Sequence, residues 1–420
     1  MHKRLFHLVL CYGVAGALLS FTPAPAGGQQ HQTEETASHD AVFLLEQQLA
    51  RGEATLSYDP KLGYLPSLLK RLDVNADSQV LVFSKTSFQQ ALISPKNPRA
   101  IFFNEDVAIG AVPGGKVFEI SALDPTRGVK FYTLDMRPSQ SPRFERGGSV
   151  CGECHDPISV LVPGLMVTSV IPNVDGTPFF TGAFFNVTDH RTPIGERWGG
   201  WYVTGTSEPH LGNAIAPDPE HPTELETKGT QNLLSLAGRF DLSQYPVPTS
   251  DVVALLTLEH QTRMINLITS VGAQARSLIE KGKLDDAASR RLDQAVEEIV
   301  TSLLFADEAP LRQPVRGVST FTATFPRRGP RDKNGRSLRD FDLQKRMFRY
   351  PLSYMIYSPI FDNLPDAVRD RVYRRLHEVL TSQDNSPKYA RISSEDRANI
   401  LQILRETKLS LPDYFKANRR

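Results

Sequence analysis

The 420-residue chain carries 48 basic and 47 acidic side chains, is 40% hydrophobic and contains three cysteines. A formal charge of +1 gives no cationic surface of the kind nucleic acid needs, and three cysteines cannot build a disulfide framework. The length suffices for two domains with sizeable cores.

Lys3 and Arg4 precede an apolar run from Leu5 to Phe21, and Ala24-Pro25-Ala26 fits a small-x-small cleavage site. Residues 1–26 are therefore expected to be a secretory signal peptide, with the mature, periplasmic chain starting near Gly27. Cleavage would remove Lys3, Arg4 and Cys11, taking the formal balance from +1 to about −1 and leaving Cys151 and Cys154 as the whole thiol inventory. Cys11 follows Leu10 where a lipoprotein signal wants a small residue. If left uncleaved, the segment would be a membrane anchor, although it falls short of clear spanning length; no later segment could span a bilayer.

Residues 27–40 are polar and form a flexible lead-in, with His31 and His39 in solvent. Apolar residues at helical spacing then predict two short helices, over 41–50 (Val42, Leu45, Leu49) and 60–72 (Leu65, Leu68, Leu69, Leu72). Between about 79 and 204 the pattern becomes strand-like: Val80–Phe83, Ala100–Phe103, Val117–Ile120 and Val129–Tyr132 lie between Pro, Gly and Asn/Asp turns. A second set follows at Met166–Ile171, Pro178–Val187 and Trp198–Val203.

Between the two sets lies Cys151-Gly152-Glu153-Cys154-His155, the C-x-x-C-H signature of covalent haem attachment. Two thiols three positions apart can each add to one vinyl group of the same porphyrin, and the histidine that follows offers an imidazole to the iron. A thiol–disulfide pair would need a strand of a βαβ unit before it, and Gly147-Gly148-Ser149-Val150 is not one. A structural zinc site would need further ligands, usually a second cysteine pair, which is absent. One haem c is the expected cofactor, with Cys151 and Cys154 as covalent attachment points and His155 as axial ligand.

Residues 205–230 are rich in Pro, Gly and acids and suggest a linker or long loop. Beyond it the period turns helical. Val253, Leu256, His260, Met264, Leu267, Val271, Ala275 and Leu278 share one stripe of a helix over Asp251–Gly282. Further helices are predicted at about 284–305, 366–381 (opened by Pro365) and 394–407 (opened by Ser393-Ser394-Glu395-Asp396). The fold class is thus α+β: a β-rich haem-binding domain over 41–228 with short N-terminal helices, then a helical domain over 229–420. This is unlike a small all-α cytochrome c, in which the motif stands near the start and helices follow it.

Phe103-Asn104-Glu105-Asp106, the CGECH motif, Glu196-Arg197-Trp198-Gly199-Gly200-Trp201-Tyr202-Val203-Thr204-Gly205, Leu258-Glu259-His260-Gln261-Thr262, Asp340-Phe341-Asp342 and Arg346-Met347-Phe348-Arg349-Tyr350-Pro351 together resemble the large, exported, single-haem "cytochrome c domain" proteins of bacteria. The likeness runs from about Tyr58 to the C-terminus and implies haem c in a redox setting, without a substrate. In that family the loop after the tryptophans reads His-Met-Gly-Asn. Here it is His210-Leu211-Gly212-Asn213, so a methionine ligand is replaced and His210 becomes the better candidate for the sixth iron position.

His260, one helical turn before Met264, is the second candidate, against the plain alternative of a core histidine. Met166 reads as core and His190 as a surface or propionate-side residue. The cations Arg327, Arg328, Arg331, Lys333, Arg336 and Arg339 sit in a Gly/Pro loop that either clamps propionates, docks an acidic partner or is simply solvated. Three functions remain open: one-electron transfer to a periplasmic redox partner protein; a haem enzyme or sensor with an open distal site for peroxide or a diatomic ligand; or a haem-carrying subunit of a larger exported complex. No nucleic acid is expected as a partner.

Overall fold

The computed structural model describes residues 39–159, 161–179 and 185–416. The signal peptide expected over 1–26 and all but the end of the lead-in lie outside the described residues. From His39 onward the contacts form one compact unit.

Helix α1 (Ala41–Ala50) starts at Asp40, whose carboxylate accepts from the Val42 and Phe43 N–H groups at 3.0 Å. The same carboxylate accepts from the Tyr132 hydroxyl at 2.6 Å, tying the helix start to the sheet. Helix α2 (Leu65–Arg71) has proline in its first turn, where a missing N–H costs nothing. Strands β1 (Val80–Val82), β2 (Arg99–Phe103), β3 (Val107–Ala111), β4 (Val117–Asp124), β5 (Gly128–Asp135) and β6 (Phe144–Arg146) then form an antiparallel meander. Next come α3 (Ser149–His155) and the paired strands β7 (Thr168–Val170) and β8 (Phe185–Val187), which form a separate ribbon. Strand β9 (Trp201–Tyr202) leaves this ribbon and pairs with β1, giving the seven-stranded order β6-β5-β4-β3-β2-β1-β9.

Alternation assigns the two sheet faces. Phe118, Ile120, Tyr132 and Leu134 point to one side and build a core with α1 and α2. Val80, Phe103, Leu123, Val129 and Trp201 point to the other and join a second core with the helical half. That half comprises α4 (Val252–Glu280), α5 (Asp286–Leu303), the single turns α6 (Phe321–Thr324) and α7 (Pro359–Asp362), then α8 (Asp366–Leu380), α9 (Ser394–Thr407) and α10 (Asp413–Lys416). The fold is α+β, and both halves contribute to the second core. Among the described residues, no helix is long and apolar enough to cross a membrane.

Two expectations are corrected by the fold. The sequence pattern missed β3 and β6: β3 contains Gly110, and β6 spans three residues of which two are exposed. Trp201 and Tyr202 complete the main sheet rather than a second one, because Gly199 and Gly200 let the chain pass against Val170 and Ser84; a Cβ on Gly199 would lie 2.2 Å from the Val170 carbonyl oxygen. Of the two forms the sequence left open for 205–230, linker or long loop, the fold takes the second, packed through Ala216. The Asn213 carboxamide accepts from Val203 N and donates to the carbonyls of Val203 and Thr230, and Thr206 bridges to Arg316.

Helix α4, roughly 43 Å long, is buried on almost all sides from Val252 to Thr262, wider than the predicted stripe, because it lies between the sheet and the other helices. Its start is capped by buried Asp251, whose carboxylate also accepts from Val318 and Ser319 N–H. Burial includes an ion pair: Glu259 Oε2 accepts from Arg197 Nη1 at 2.9 Å and Oε1 from the Thr188 hydroxyl at 2.7 Å. Burial pushes the Glu259 carboxyl up, and Arg197 and Thr188 pull it back down. Desolvating each ion costs several kcal/mol. Each large apolar side chain that α4 buries contributes roughly 1.5–3 kcal/mol, so three or four of them offset one ion.

The pair makes the first prediction. Glu259→Ala strands the Arg197 guanidinium in the core and is expected to cost about 3–5 kcal/mol in urea unfolding. Adding Arg197→Ala should cost clearly less than the sum of the two single changes. Additivity within about 0.5 kcal/mol would show that the two side chains are not coupled.

Candidate functional site

The motif occupies α3, which follows β6 after a two-glycine turn. A Cβ on Gly147 would lie 2.8 Å from both Cys151 Sγ and Phe131 Cβ, so only glycine lets α3 approach β5 this closely. The Gly147 N–H donates to the Phe131 carbonyl at 2.8 Å. Cys151 and Cys154 fall one helical turn apart, on one face. Both are free thiols: Cys151 is half-buried and Cys154 exposed. Burial, then the Glu119 carboxylate, pushes the Cys151 thiol up.

His155 ends the helix with its ring over Phe131, centroids 4.4 Å apart. Its Nδ1 lies 2.7 Å from the Gly164 carbonyl oxygen, and the Gly164 N–H donates back to the His155 carbonyl at 2.9 Å. A carbonyl only accepts, so Nδ1 carries the proton and Nε2 the lone pair. Among the described residues no hydrogen bond engages Nε2. Burial lowers the imidazole pKa, and the Gly164 bond, Glu119 and Asp156 oppose that while Arg99 adds to it, so the ring is neutral at pH 7. Neutral imidazole with a free Nε2 is the form that binds a transition metal.

The loop from His155 to Gly164 is tight. Leu161 has φ 66° and is 67% exposed, an apolar side chain in solvent on a left-handed backbone. Farther along, Asn266 of α4 binds both backbone groups of Leu165: Oδ1 accepts from Leu165 N at 2.8 Å, and Nδ2 donates to Leu165 O at 2.7 Å. Beside the motif, Arg99 lies flat over Gly110 and pairs with Glu119 at 2.7 Å, while Gln89 Nε2 donates to Glu119 at 3.0 Å. Phe131, Asn266 and the Arg99–Glu119 pair were not singled out from the sequence, because their contacts span 20 to 101 residues and leave no local spacing to read; Gly164, nine residues from His155, acts through its backbone, which the sequence does not mark. The one available sign is Asn266 itself, a polar residue on the less buried side of α4.

The two candidate sixth ligands are placed elsewhere. His210 packs edge-on against Trp198 at 5.2 Å, and its ring shares the space over Gly212 with Val203, immediately after β9. His155 sits on β5. His210 lies beside β9, five strands along the sheet order from β5, and among the described residues no hydrogen bond or ring contact joins it to His155. His260 is fully buried on α4, stacked on Phe305 at 4.3 Å. Both of its nitrogens are engaged: Nε2 with the Ser353 hydroxyl at 2.7 Å and Nδ1 with His190 Nδ1 at 3.2 Å. His190 continues to Asp307 at 3.1 Å, so it is a buried relay member rather than a surface residue. The structure thus brings Cys151, Cys154 and His155 together and leaves out His210 and His260. Met166 is half-buried rather than core.

The cationic loop is ion-paired within the fold. Arg328 meets Asp73, Arg331 meets Asp340, Lys333 meets Glu406 and Arg336 meets Asp332. Arg339 pairs with Glu105 and is wedged between the rings of Phe325 and Tyr354, 4.8 Å from each centroid. Arg328, Lys333 and Arg339 hold the loop to its neighbours, while Arg331 and Arg336 pair within it or at its end. Comparisons with protein-family models, with curated proteins and with solved structures find no match for the chain.

Burial lowers the His210 pKa to about 4, and its Nδ1 has no hydrogen-bond partner among the described residues. An unfolded histidine titrates near 6.5, so between pH 6.5 and 4 the unfolded chain binds the extra proton and stability falls with acid. Roughly 3 kcal/mol is expected to be lost across this window through His210. Urea unfolding of wild type and His210→Gln at pH 7, 5.5 and 4.5 checks this: the variant should lose that part of the acid sensitivity, and parallel curves would contradict the assignment.

Proposed function

We propose that the chain is an exported c-type haem protein that carries one haem on Cys151 and Cys154, has His155 as proximal ligand and transfers single electrons to a periplasmic redox partner protein. The observation that carries this reading is the His155–Gly164 hydrogen bond, which leaves a neutral imidazole with its Nε2 lone pair free beside two free thiols one turn apart.

The haem would supply an iron centre cycling between ferric and ferrous states. The protein's part is attachment and orientation. Each thiol would add across one vinyl group, the sulfur to one vinyl carbon and the thiol proton to the other. Nothing is oxidised among the protein's groups, so both cysteines must be reduced, as they are here. Gly164 holds the His155 ring in one orientation and one tautomer, Phe131 closes off one face of that ring, and Gly147 keeps α3 against the sheet. Cys154, exposed at the surface, leaves the attached group within reach of a partner.

A second reading, a haem protein whose distal position takes an exogenous small ligand, is favoured by one observation. His210 is held at the β9 side of the sheet, and His260 has both nitrogens engaged in the core, so neither competes for the iron.

The optical spectrum of protein matured in a host that attaches haem c, read in ferric and ferrous forms with and without carbon monoxide, tests both readings. Haem that stays with the chain through denaturing electrophoresis is expected in wild type and should be abolished in the Cys151→Ala/Cys154→Ala double variant. A low-spin ferrous spectrum indifferent to carbon monoxide would favour pure electron transfer, whereas ready binding would favour the open site. Absence of covalent haem in wild type would overturn both.

A further inference from the structure

We propose that Asn266 of α4 is the positioning residue that sets the electron-donating strength of the proximal imidazole, an inference that rests on the haem reading above. The carbonyl of Gly164 and the N–H of Leu165 are two ends of one planar peptide group. His155 Nδ1 donates to the oxygen at 2.7 Å, and the hydrogen is taken by Asn266 Oδ1 at 2.8 Å. His155, the peptide and Asn266 therefore form one hydrogen-bonded series, each bond polarising the next. Backbone partners also settle which end of the carboxamide is which. Leu165 N–H can only donate and Leu165 C=O can only accept, so Oδ1 faces the first and Nδ2, at 2.7 Å, the second.

The amide is mounted on a rigid element. One turn along the helix, α4 and the loop both close on the start of β5: a Cβ built on Gly128 would lie 3.4 Å from Thr269 Cβ and 3.6 Å from Val162 Cβ. Asn266 is the α4 residue bonded to the peptide that meets the imidazole. A carbonyl polarised from behind is a stronger acceptor, and a more fully donated Nδ1–H gives the ring more anionic character. That ring pushes more density onto iron and favours the ferric state.

Asn266→Ala in the full-length holoprotein removes both bonds. It is expected to raise the reduction potential, to lower the iron–histidine stretching frequency of the ferrous protein when the distal site is open, and to lower the pH at which the coordinated imidazole loses its Nδ1 proton, because a weaker carbonyl acceptor stabilises the N–H form less. A tenfold change in the ferric-to-ferrous ratio at fixed potential, about 59 mV for one electron, is the scale to look for. Asn266→Asp keeps the acceptor and adds negative charge behind the peptide, so it should move both readouts the opposite way to alanine: the potential down and the pH of imidazole deprotonation up. It also carries the test if the alanine variant is not recovered folded.

Outcomes separate cleanly. If wild type binds no covalent haem, the haem reading fails. If wild type is loaded, and Asn266→Ala or, in its place, Asn266→Asp leaves both the potential and the imidazole deprotonation unchanged, the haem reading stands and the assignment of Asn266 is overturned. A drop in melting temperature with both readouts unmoved would assign the side chain to loop anchoring alone.

Discussion

The carboxylate of Glu259, wholly buried on α4, constrains everything packed around it. A helix can lie between a sheet and a second layer of helices only if each polar group it takes inside is compensated. The compensation here comes from the chain just before β9. Arg197 supplies the counter-charge and also donates to the carbonyls of Thr192 and His190, and Thr188 supplies a hydroxyl. His260, the next residue, adds the Ser353–His260–His190–Asp307 series, and Arg263 reaches Asp189 and Glu298. The stretch from 188 to 198 is therefore located by polar contacts with α4. Apolar packing is non-directional and would tolerate a slip; these bonds select one register.

From that register follow two further placements. With α4 fixed, Asn266 and Thr269 fall opposite the loop after α3, roughly 10 and 15 Å along the helix from Glu259. With the 188–198 stretch fixed, Trp198 and the two glycines after it deliver β9 to the open edge of β1. The motif and the sheet edge are thus located by successive turns of one helix.

Sequence pattern was informative wherever a property is local. The five residues of the motif, the alternation in β4 and β5, the proline ahead of α8 and the capping box of Ser393 and Asp396 are all set within a few positions, and all appear in the fold. It was uninformative where the determinant is a distant partner. His260 sits at a helical apolar position, which suits an iron ligand and a core histidine equally; only Ser353, 93 residues on, decides between them. His210 is distinguished from a ligand by strand order, which periodicity does not encode. The basic stretch after Pro326 looked free because its acid partners, Asp73, Glu105 and Glu406 among them, are scattered along the chain.

The wide sequence gap between α3 and α4 has a consequence for the order of assembly. A chain delivered N-terminus first presents Cys151 and Cys154 about a hundred residues before Asn266 emerges, and before β9 can close the sheet. During that interval the thiols stand on a chain whose sheet still has an open edge at β1 and whose loop after α3 has no bond to Asn266. The clamp on Leu165 and the closing of the sheet are thus late events, set by residues that leave last.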